Sequence, residues 1–499
     1  HKTGLIQLIS NENVKKGNDG SIIITSKYLK AHKDLITKNE SGSYSLNKSY
    51  YDIDLEGVIQ PQSSTVVIDH KNGEVKAVVG GRDQKGLKTL NRAIDQPRQP
   101  GSSIKPLATY TPALDNGYNL ATGIDDVPFM RNEQGEIWPE NVYKYYKGIV
   151  TLRDSLVYSI NTNAVRTLKD IGIDKSKEYL ENFGLIKKDK KDNFITKEED
   201  SAHNDENLAA LGLGAMTRGL SVLDMTAAYA ALANGGEYIE PLTFSKIEDN
   251  RNKVIFDSNK VNKNKVTSPE TAYQITSALQ STGESYQTIY LDGTDYATKT
   301  GTSDDSVDFW CVGYSPYYTV GVWMGSDDQN LSLNGYSYNR AASMWNVVNR
   351  NLLEEYETAK FEEPEGIIHA KVDTISGKLP TQASYSDPRG TVKDEIFTKD
   401  NLPKDEDDMH VWITVDTRNN LLATNKTPKS LQATRAFVDR KKSYDPNKWD
   451  GIIPEDWKYN IPYMYSPLGA EKPKSDDNSD EKDKKDKDEK SKDNKENKN

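Results

Sequence analysis

The chain has 499 residues, 35% of them apolar, and a formal net charge of −11. At about 150 residues per domain this length implies two to four units, and 33 glycines bring the apolar share near the globular norm, so a sizeable core is possible. The acidic balance argues against a nucleic-acid partner, which needs a basic surface, and the lone cysteine, Cys311, excludes an internal disulfide. No apolar run reaches the roughly 18 residues of a membrane span, and no signal-peptide pattern occurs. The chain opens on His1 rather than Met, so the expectation is a piece of a longer protein.

Residues 1–60 are polar, with one β-like run at 21–25, and are expected to form a small linker domain. The runs 65–69 and 74–79 flank Asn72-Gly73, a hairpin signal because both residues tolerate positive φ. A helix is predicted over 102–116 with Gly117 as its stop, and another over 223–234 before Gly235-Gly236. Ser268-Pro269-Glu270 opens a third, with Ser as N-cap, Pro at the first position and an acid in the first turn; it is expected to run to about Gln280. Three further β-like runs follow at 296–302, 308–314 and 318–324, and 341–357 is amphipathic. Residues 361–470 hold strand-like runs at 367–372 and 410–415 among Pro and Asp, which predicts a small β-containing extension. The mixed-charge run 471–499 has no aliphatic or aromatic residue and is expected to be disordered.

These elements predict an α/β (α+β) fold. Five antiparallel strands form one sheet flanked by helices, with a large insertion, an all-helical subdomain, in its middle. The expected domains are 1–60, 61–360, 361–470 and 471–499.

Three short patterns carry chemistry. In Ser102-Ser103-Ile104-Lys105 the serine follows Pro100-Gly101 and opens a helical pattern, so its hydroxyl lies among unpaired N–H groups at the positive end of the dipole. Lys105, three residues on, shares its face. A lysine accepts a proton only when neutral, which requires desolvation or a nearby cation; Lys299 is the candidate cation. Pro106 removes a donor just inside the helix, so an irregular first turn is expected. In Ser159-Ile160-Asn161, read as a helix end followed by a short loop, Ser159 can relay a proton and Asn161 can hold a substrate amide. In Lys299-Thr300-Gly301-Thr302, Gly301 admits a substrate backbone beside the strand, and Lys299, Thr300 and Thr302 can bind a carboxylate. Together this is the equipment of a serine acyl-transfer enzyme that uses lysine as its base.

The same patterns recur elsewhere. Ser45-Leu46-Asn47-Lys48 and Ser479-Asp480-Glu481-Lys482 fit the first, Ser332-Leu333-Asn334 the second, and Lys2-Thr3-Gly4 the third. None has the right context: Ser45 lacks an apolar helix behind it, Ser479 lies in the charged tail, and Lys2 precedes the nucleophile. Cys311 lies in an apolar run and is expected to be a buried, inert thiol. The six histidines show no metal-ligand spacing, so neither a metal nor a cofactor is assigned.

The segment from Leu90-Asn91-Arg92-Ala93 through Arg98-Gln99-Pro100-Gly101-Ser102 to Pro106 resembles the nucleophile region of class A (bifunctional) penicillin-binding proteins. Pro139-Glu140-Asn141, the stretch 159–165, Leu232-Ala233-Asn234-Gly235-Gly236 and the stretch from Lys299 through Phe309-Trp310 to Trp323-Met324-Gly325 are similar too. The match covers roughly residues 60–360. The resemblance implies the penicillin-binding/serine β-lactamase-like transpeptidase fold, with Ser102 acylated, Lys105 the base, Ser159 the relay, Asn161 the amide ligand, and Lys299, Thr300, Gly301 and Thr302 on the carboxylate side. The backbone N–H groups of Ser102 and Thr302 would form the oxyanion hole. The implied partners are peptidoglycan stem peptides ending in D-Ala-D-Ala and β-lactam antibiotics. The implied location is the outer face of the bacterial cell membrane, through an anchor missing from this chain, as is the family's glycosyltransferase domain. The linker before residue 60 matches poorly. Two alternatives use the same patterns: a D,D-carboxypeptidase or serine β-lactamase that passes the acyl group to water, and a non-catalytic β-lactam receptor. No Glu-x-x-Leu-Asn deacylation signature occurs.

Overall fold

The structure, a computed structural model, describes residues 2–469 except 4–5, 9–13, 17–21, 41, 48, 50, 54–57, 85–88, 188–193, 258–262, 287, 330, 334, 336–338 and 442–443. The charged run 471–499 lies outside the described residues.

One five-stranded sheet organises the molecule. Its strands are β1 (Gln62–Asp69), β2 (Glu74–Val79), β3 (Ala297–Thr302), β4 (Asp308–Tyr314) and β5 (Thr319–Gly325), in the order β2-β1-β5-β4-β3 and antiparallel throughout. The strands expected from the sequence are all present. The β1–β2 turn differs: it spans four residues, and only Gly73, at φ +79°, takes the positive-φ conformation, because Asp69 accepts from Gly73 N at 2.8 Å and closes the turn there.

Both faces of the sheet are covered, which is why its central strands read as unbroken apolar runs rather than alternating ones. Val66, Ile68, Trp310, Val312, Tyr314 and Trp323 point into one core, while Val67, Phe309, Cys311, Val320 and Val322 point into the other. Helix α3 (Val222–Ala233) lies against the first face, so tightly that a Cβ on Gly321 would sit 2.0 Å from Thr226 Oγ1. Helix α5 (Arg340–Leu352) covers the second with Ala341, Ala342 and Trp345. Each large side chain buried this way contributes about 1.5–3 kcal/mol. Cys311 is buried as expected.

The insertion between β2 and β3 is mainly helical, with short two-stranded ladders such as Gly123–Asp126 on Gly148–Thr151. Its helices include α1 (Leu152–Val157) and α2 (Asn161–Ile171). Helix α4 (Pro269–Ser285) runs past its expected end and packs along β3; Ser268 caps it, accepting from Thr271 N at 3.1 Å. The helix expected over 102–116 is broken into a 3-10 turn (Gly101–Ile104), a π turn (Pro106–Tyr110) and a short α segment (Thr111–Asp115). Pro106 and Pro112 each lack an amide donor, which breaks the regular ladder.

The extension holds two hairpins, β6 (Ile368–Asp373) with β7 (Val392–Phe397), and β8 (His410–Asp416) with β9 (Gln432–Val438); the sequence reading anticipated only β6 and β8. It docks on the insertion through Arg153–Glu395 at 2.7 Å and Ile149 N donating to Asp456 Oδ2 at 3.0 Å. Ahead of the sheet, Ile22–Ile24 is a strand as expected, followed by a helical turn Ser26–Ala31 and further small strand pairs. No helix among the described residues is long and apolar enough to cross a membrane.

Candidate active site

The chain entering Ser102 is held on several sides. Arg98 and Leu220 exchange backbone hydrogen bonds at 2.9 and 2.8 Å, Trp310 Nε1 donates to Gln99 O at 2.8 Å, and Gln99 Nε2 donates to Met216 O at 3.2 Å. The Arg98 guanidinium lies over the Trp323 ring at 5.0 Å, with Nε 3.6 Å from Asp308. Gly101 follows at φ +53°, and a Cβ there would come within 2.3 Å of Thr302 O. The contact is reciprocated: a Cβ on Gly301 would lie 2.1 Å from Pro100 O, and one on Gly214 would lie 2.2 Å from Gly101 O. Three backbone segments thus touch with no side chain between them, and this presses Ser102 to the end of β3. The 3-10 turn at Gly101–Ile104 runs on through Lys105 into the π and α turns as far as Asp115, so Ser102 lies in the first turn of a helical segment whose pitch changes along its length.

Lys105 is 0% exposed. Its Nζ donates to Ser159 O at 2.9 Å, Ser159 Oγ at 3.3 Å and Asn161 Oδ1 at 2.7 Å. The half-buried Ser102 hydroxyl is not among its hydrogen-bond partners; the two residues are joined through backbone, Lys105 N–H donating to Ser102 O. Burial pulls the Lys105 amine well below the ordinary lysine value, and the charge of Lys299 lowers it further. Both causes expected from the sequence act, desolvation being the larger and the Lys299 charge the smaller.

Ser159 and Asn161 are placed by a break between helices. Helix α1 ends at Val157, Ser159 takes φ +54°, and Asn161 begins α2. Ser159 and Ile160 form the loop and Asn161 opens the next helix, rather than the motif being a helix end with a loop after it. It is held from outside by Asn141, whose Oδ1 accepts from Asn161 N at 3.0 Å and Thr162 N at 3.4 Å while its Nδ2 donates to Asp126 Oδ1 at 2.7 Å. Asp126, fully buried, also accepts from Tyr143 OH at 2.7 Å and Lys147 N at 2.9 Å. One Asn161 Nδ2 hydrogen goes to Glu140 O at 2.8 Å. Oδ1 accepts from Lys105, and the second amide hydrogen has no acceptor among the described residues.

Lys299 is 1% exposed, on β3, and donates to Thr300 O at 3.0 Å. Burial draws its amine down to about 7. Thr300 is tied to Tyr286, whose hydroxyl contacts Thr300 N at 3.1 Å and Oγ1 at 2.9 Å; Thr302, at the strand end, is exposed. Ser102, Lys105, Ser159, Asn161 and the 299–302 strand end therefore share one neighbourhood, with two buried amines close enough to repel. Such a site can hold a carboxylate near a cation and take a proton on a neutral amine.

The decoys stay apart. Ser45 lies on an exposed three-residue strand and its Oγ accepts from Asn39 Nδ2 at 2.7 Å. Gly4, Lys48, Asn334 and Ser479 lie outside the described residues. Sequence reasoning missed Asp126, Gly214 and Tyr286, and noted Asn141 only within a resemblance. Each is an ordinary residue whose role comes from a neighbour distant in sequence, so no local signal marks it.

The model "Penicillin binding protein transpeptidase domain" matches residues 63–342, and "Penicillin-binding protein 1A, C-terminal domain" matches residues 363–412. Penicillin-binding protein 1A of Clostridium botulinum (strain Langeland) is 34% identical over 468 residues, 91% of this chain and 54% of its own length. Penicillin-binding protein 1F of Bacillus subtilis is 34% identical over 313 residues, 59% of this chain and 40% of its own. The crystal structure of penicillin-binding protein 1A from Haemophilus influenzae aligns with a TM-score of 0.57 at 25% identity, over 79% of this chain and 62% of that one. PonA1 from Mycobacterium tuberculosis in complex with penicillin V, at 24% identity and TM-score 0.54 over 61% of this chain and 81% of that one, shares the fold. The chain spans about half the length of the curated relatives it matches.

Proposed function

Because the chain belongs to the penicillin-binding protein family, as a transpeptidase domain followed by a penicillin-binding protein 1A C-terminal segment, we propose that it is a serine D,D-transpeptidase. Neutral Lys105 accepts the Ser102 proton as Oγ attacks the penultimate D-Ala carbonyl of a peptidoglycan stem peptide. The N–H groups of Ser102 and Thr302 stabilise the oxyanion. Ser159 passes the proton from Lys105 to the leaving nitrogen, and the terminal D-Ala departs. The Ser102 ester is then attacked by an amine on a neighbouring stem, which forms the cross-link and frees the serine. Asn161 holds the donor amide, while Lys299, Thr300 and Thr302 hold its carboxylate, with Gly301 leaving room for the peptide backbone. A β-lactam enters as a donor mimic and leaves a stable acyl adduct.

The observation that carries this reading is the buried Lys105 amine, whose Nζ lies 3.3 Å from Ser159 Oγ and 2.7 Å from Asn161 Oδ1. A lysine so desolvated is a base near neutral pH, and a hydroxyl beside it is a relay. The partition of the chain that goes with this reading is a linker over 1–60, the transpeptidase over 61–360, the extension over 361–470 and a charged tail. The full-length protein would add an anchor and a glycosyltransferase upstream, and would work at the outer face of the cell membrane.

Intact-mass measurement after penicillin treatment tests the assignment. One adduct is expected on the parent chain, none on Ser102→Ala, and unchanged labelling on Ser45→Ala. Persistent labelling of Ser102→Ala would overturn it. Rapid penicillin turnover would favour a hydrolase, and an adduct without D-Ala release from a stem peptide or transfer to an amine would favour a receptor.

A further inference from the structure

The C-terminal extension carries a second buried cluster of ionisable groups, remote in sequence from the Ser102 site. Strand β6 ends at Asp373 and strand β8 begins at His410, and Asp407 precedes β8 by three residues. All three side chains are buried, and one potential ligand atom from each lies within 4.8 Å of the others. We propose that Asp373, Asp407 and His410 bind one divalent transition-metal ion, zinc by the chemistry of the donors, and so tie the two hairpins of the extension together.

The geometry around the imidazole is that of a ligating histidine. His410 Nε2 lies 2.9 Å from Asp387 Oδ2, and Asp387 is itself paired with Arg389, at 2.6 Å from NH2 and 3.0 Å from Nε. A metal-bound histidine commonly donates its outer N–H to such a carboxylate, which orients the ring. The other nitrogen, Nδ1, faces Asp407 Oδ2 at 2.8 Å and Asp373 Oδ2 at 3.5 Å. A zinc ion at about 2.0–2.2 Å from each ligand would hold them about 3.3 Å apart, and the observed spacings straddle that value.

Both carboxylates are braced as ligands. Asp407 accepts from Ser384 Oγ at 2.6 Å and Met409 N at 2.9 Å, and Asp373 Oδ2 accepts from Ser376 N at 2.8 Å and Ser376 Oγ at 2.9 Å. The second oxygen, Asp373 Oδ1, is buried with no hydrogen-bond partner. A proton on Nδ1 leaves that oxygen unserved and the three groups with a net negative charge. A divalent ion, bound by a neutral imidazole and two carboxylates, brings the sum to zero, and a carboxylate that engages it through both oxygens would also serve the unpartnered one. The histidine spacing in sequence gave no hint of this, because the hairpins bring 373, 407 and 410 together.

Loading exchanges one species for another: the Nδ1 proton leaves to solvent and its lone pair binds the ion. Because that proton must leave before the nitrogen can bind, affinity is expected to rise with pH.

The test uses the full chain, stripped with a chelator, exposed to zinc chloride and passed through a desalting column. Elemental analysis should find one zinc per chain, and calorimetry in buffers of different ionisation enthalpy should read about one proton released per ion. Asp373→Asn and Asp407→Asn should lose the retained zinc, and Asp387→Asn should bind it about 10–100-fold more weakly. If those variants do not fold, cobalt(II) absorption on the parent chain, displaced by zinc, reads the same site without substitution. Calcium and magnesium should not compete, because they favour all-oxygen donors. Retention of no zinc by the parent, equal retention by folded Asp373→Asn and Asp407→Asn, no zinc-displaceable cobalt spectrum, or displacement of zinc by calcium would each overturn the proposal.

Discussion

The α-carbon of Gly101 rests directly on the backbone of Thr302: a methyl group in its place would come within 2.3 Å of the Thr302 carbonyl oxygen, and Gly101 holds φ at +53°. Alanine would meet both the left-handed backbone, at about 1–2 kcal/mol, and a rigid neighbour that cannot yield. The turn and the strand end must then separate. A misplacement of about 1 Å at a reacting centre lowers rates by about 100-fold, so Gly101→Ala should slow β-lactam acylation by that order. Gly117→Ala is the control, since Gly117 has φ +97° but nothing within 4 Å of its Cβ. Stopped-flow acylation compares them; equal rates would show that the contact does not position Ser102.

The two buried amines set a pH dependence with a definite sign. Lys105 is lowered first by burial and then by the charge on Lys299. Acylation should therefore rise with pH, with an inflection well below the ordinary lysine value of about 10.4. In Lys299→Met the second cause is gone, so the Lys105 inflection should move to higher pH while the remaining rate is much reduced. Rate profiles of both proteins check this. A downward or absent displacement would contradict the coupling.

Lys299 also has a stability consequence. Its folded value near 7 lies below the ordinary value of 10.5, so between those limits the unfolded chain binds more protons and stability rises with pH. Below pH 7 the full penalty of burying the charge is present, on the order of a few kcal/mol. Lys299→Met should thus melt higher than the parent by several degrees at pH 6, and the gap should narrow as pH approaches 10. Calorimetric melts over that range decide it; a gap that widens with pH would reverse the sign.

Asn141 makes no contact with the nucleophile, yet it accepts the first two N–H groups of α2 and donates to Asp126. Truncation to alanine leaves those N–H groups and the buried carboxylate short of partners, at about 1–3 kcal/mol. Asn141→Ala should destabilise by that amount in denaturant titrations and slow acylation by about 10–100-fold. Asn141→Asp should be worse, because it keeps the acceptor but sets a second carboxylate against Asp126. An aspartate variant equal to wild type would show that the hydrogen bond to Asp126 is not needed.

Much of the sheet was legible because its information is local. The runs that became β1 to β5 are continuous β-prone stretches bounded by turn residues, and the central ones, β1, β4 and β5, are buried on both faces. Ser268-Pro269 marked the start of α4 for the same reason, a cap and a fixed φ in adjacent residues. The stretch 102–116 misled in part, since Pro106 and Pro112 divide a helical pattern into three kinds of turn. The placement of Ser159 was also hidden: its positive φ belongs to the turn closed by Ser159 N on Leu156 O and Ile160 N on Ser155 O, and serine has no preference that announces it.

The amino-acid order alone determined which alcohols, amines and amides the chain owns, and in what succession its turns and strands present them, because those depend on neighbours a few residues away. Only the tertiary structure decided that Gly101, Gly214 and Gly301 meet, that Lys105 loses its water to Ser159 and Asn161, and that Asp373 and His410 face each other across two hairpins. Proton affinity and contact are set by what surrounds a group in space, and long-range packing creates those surroundings.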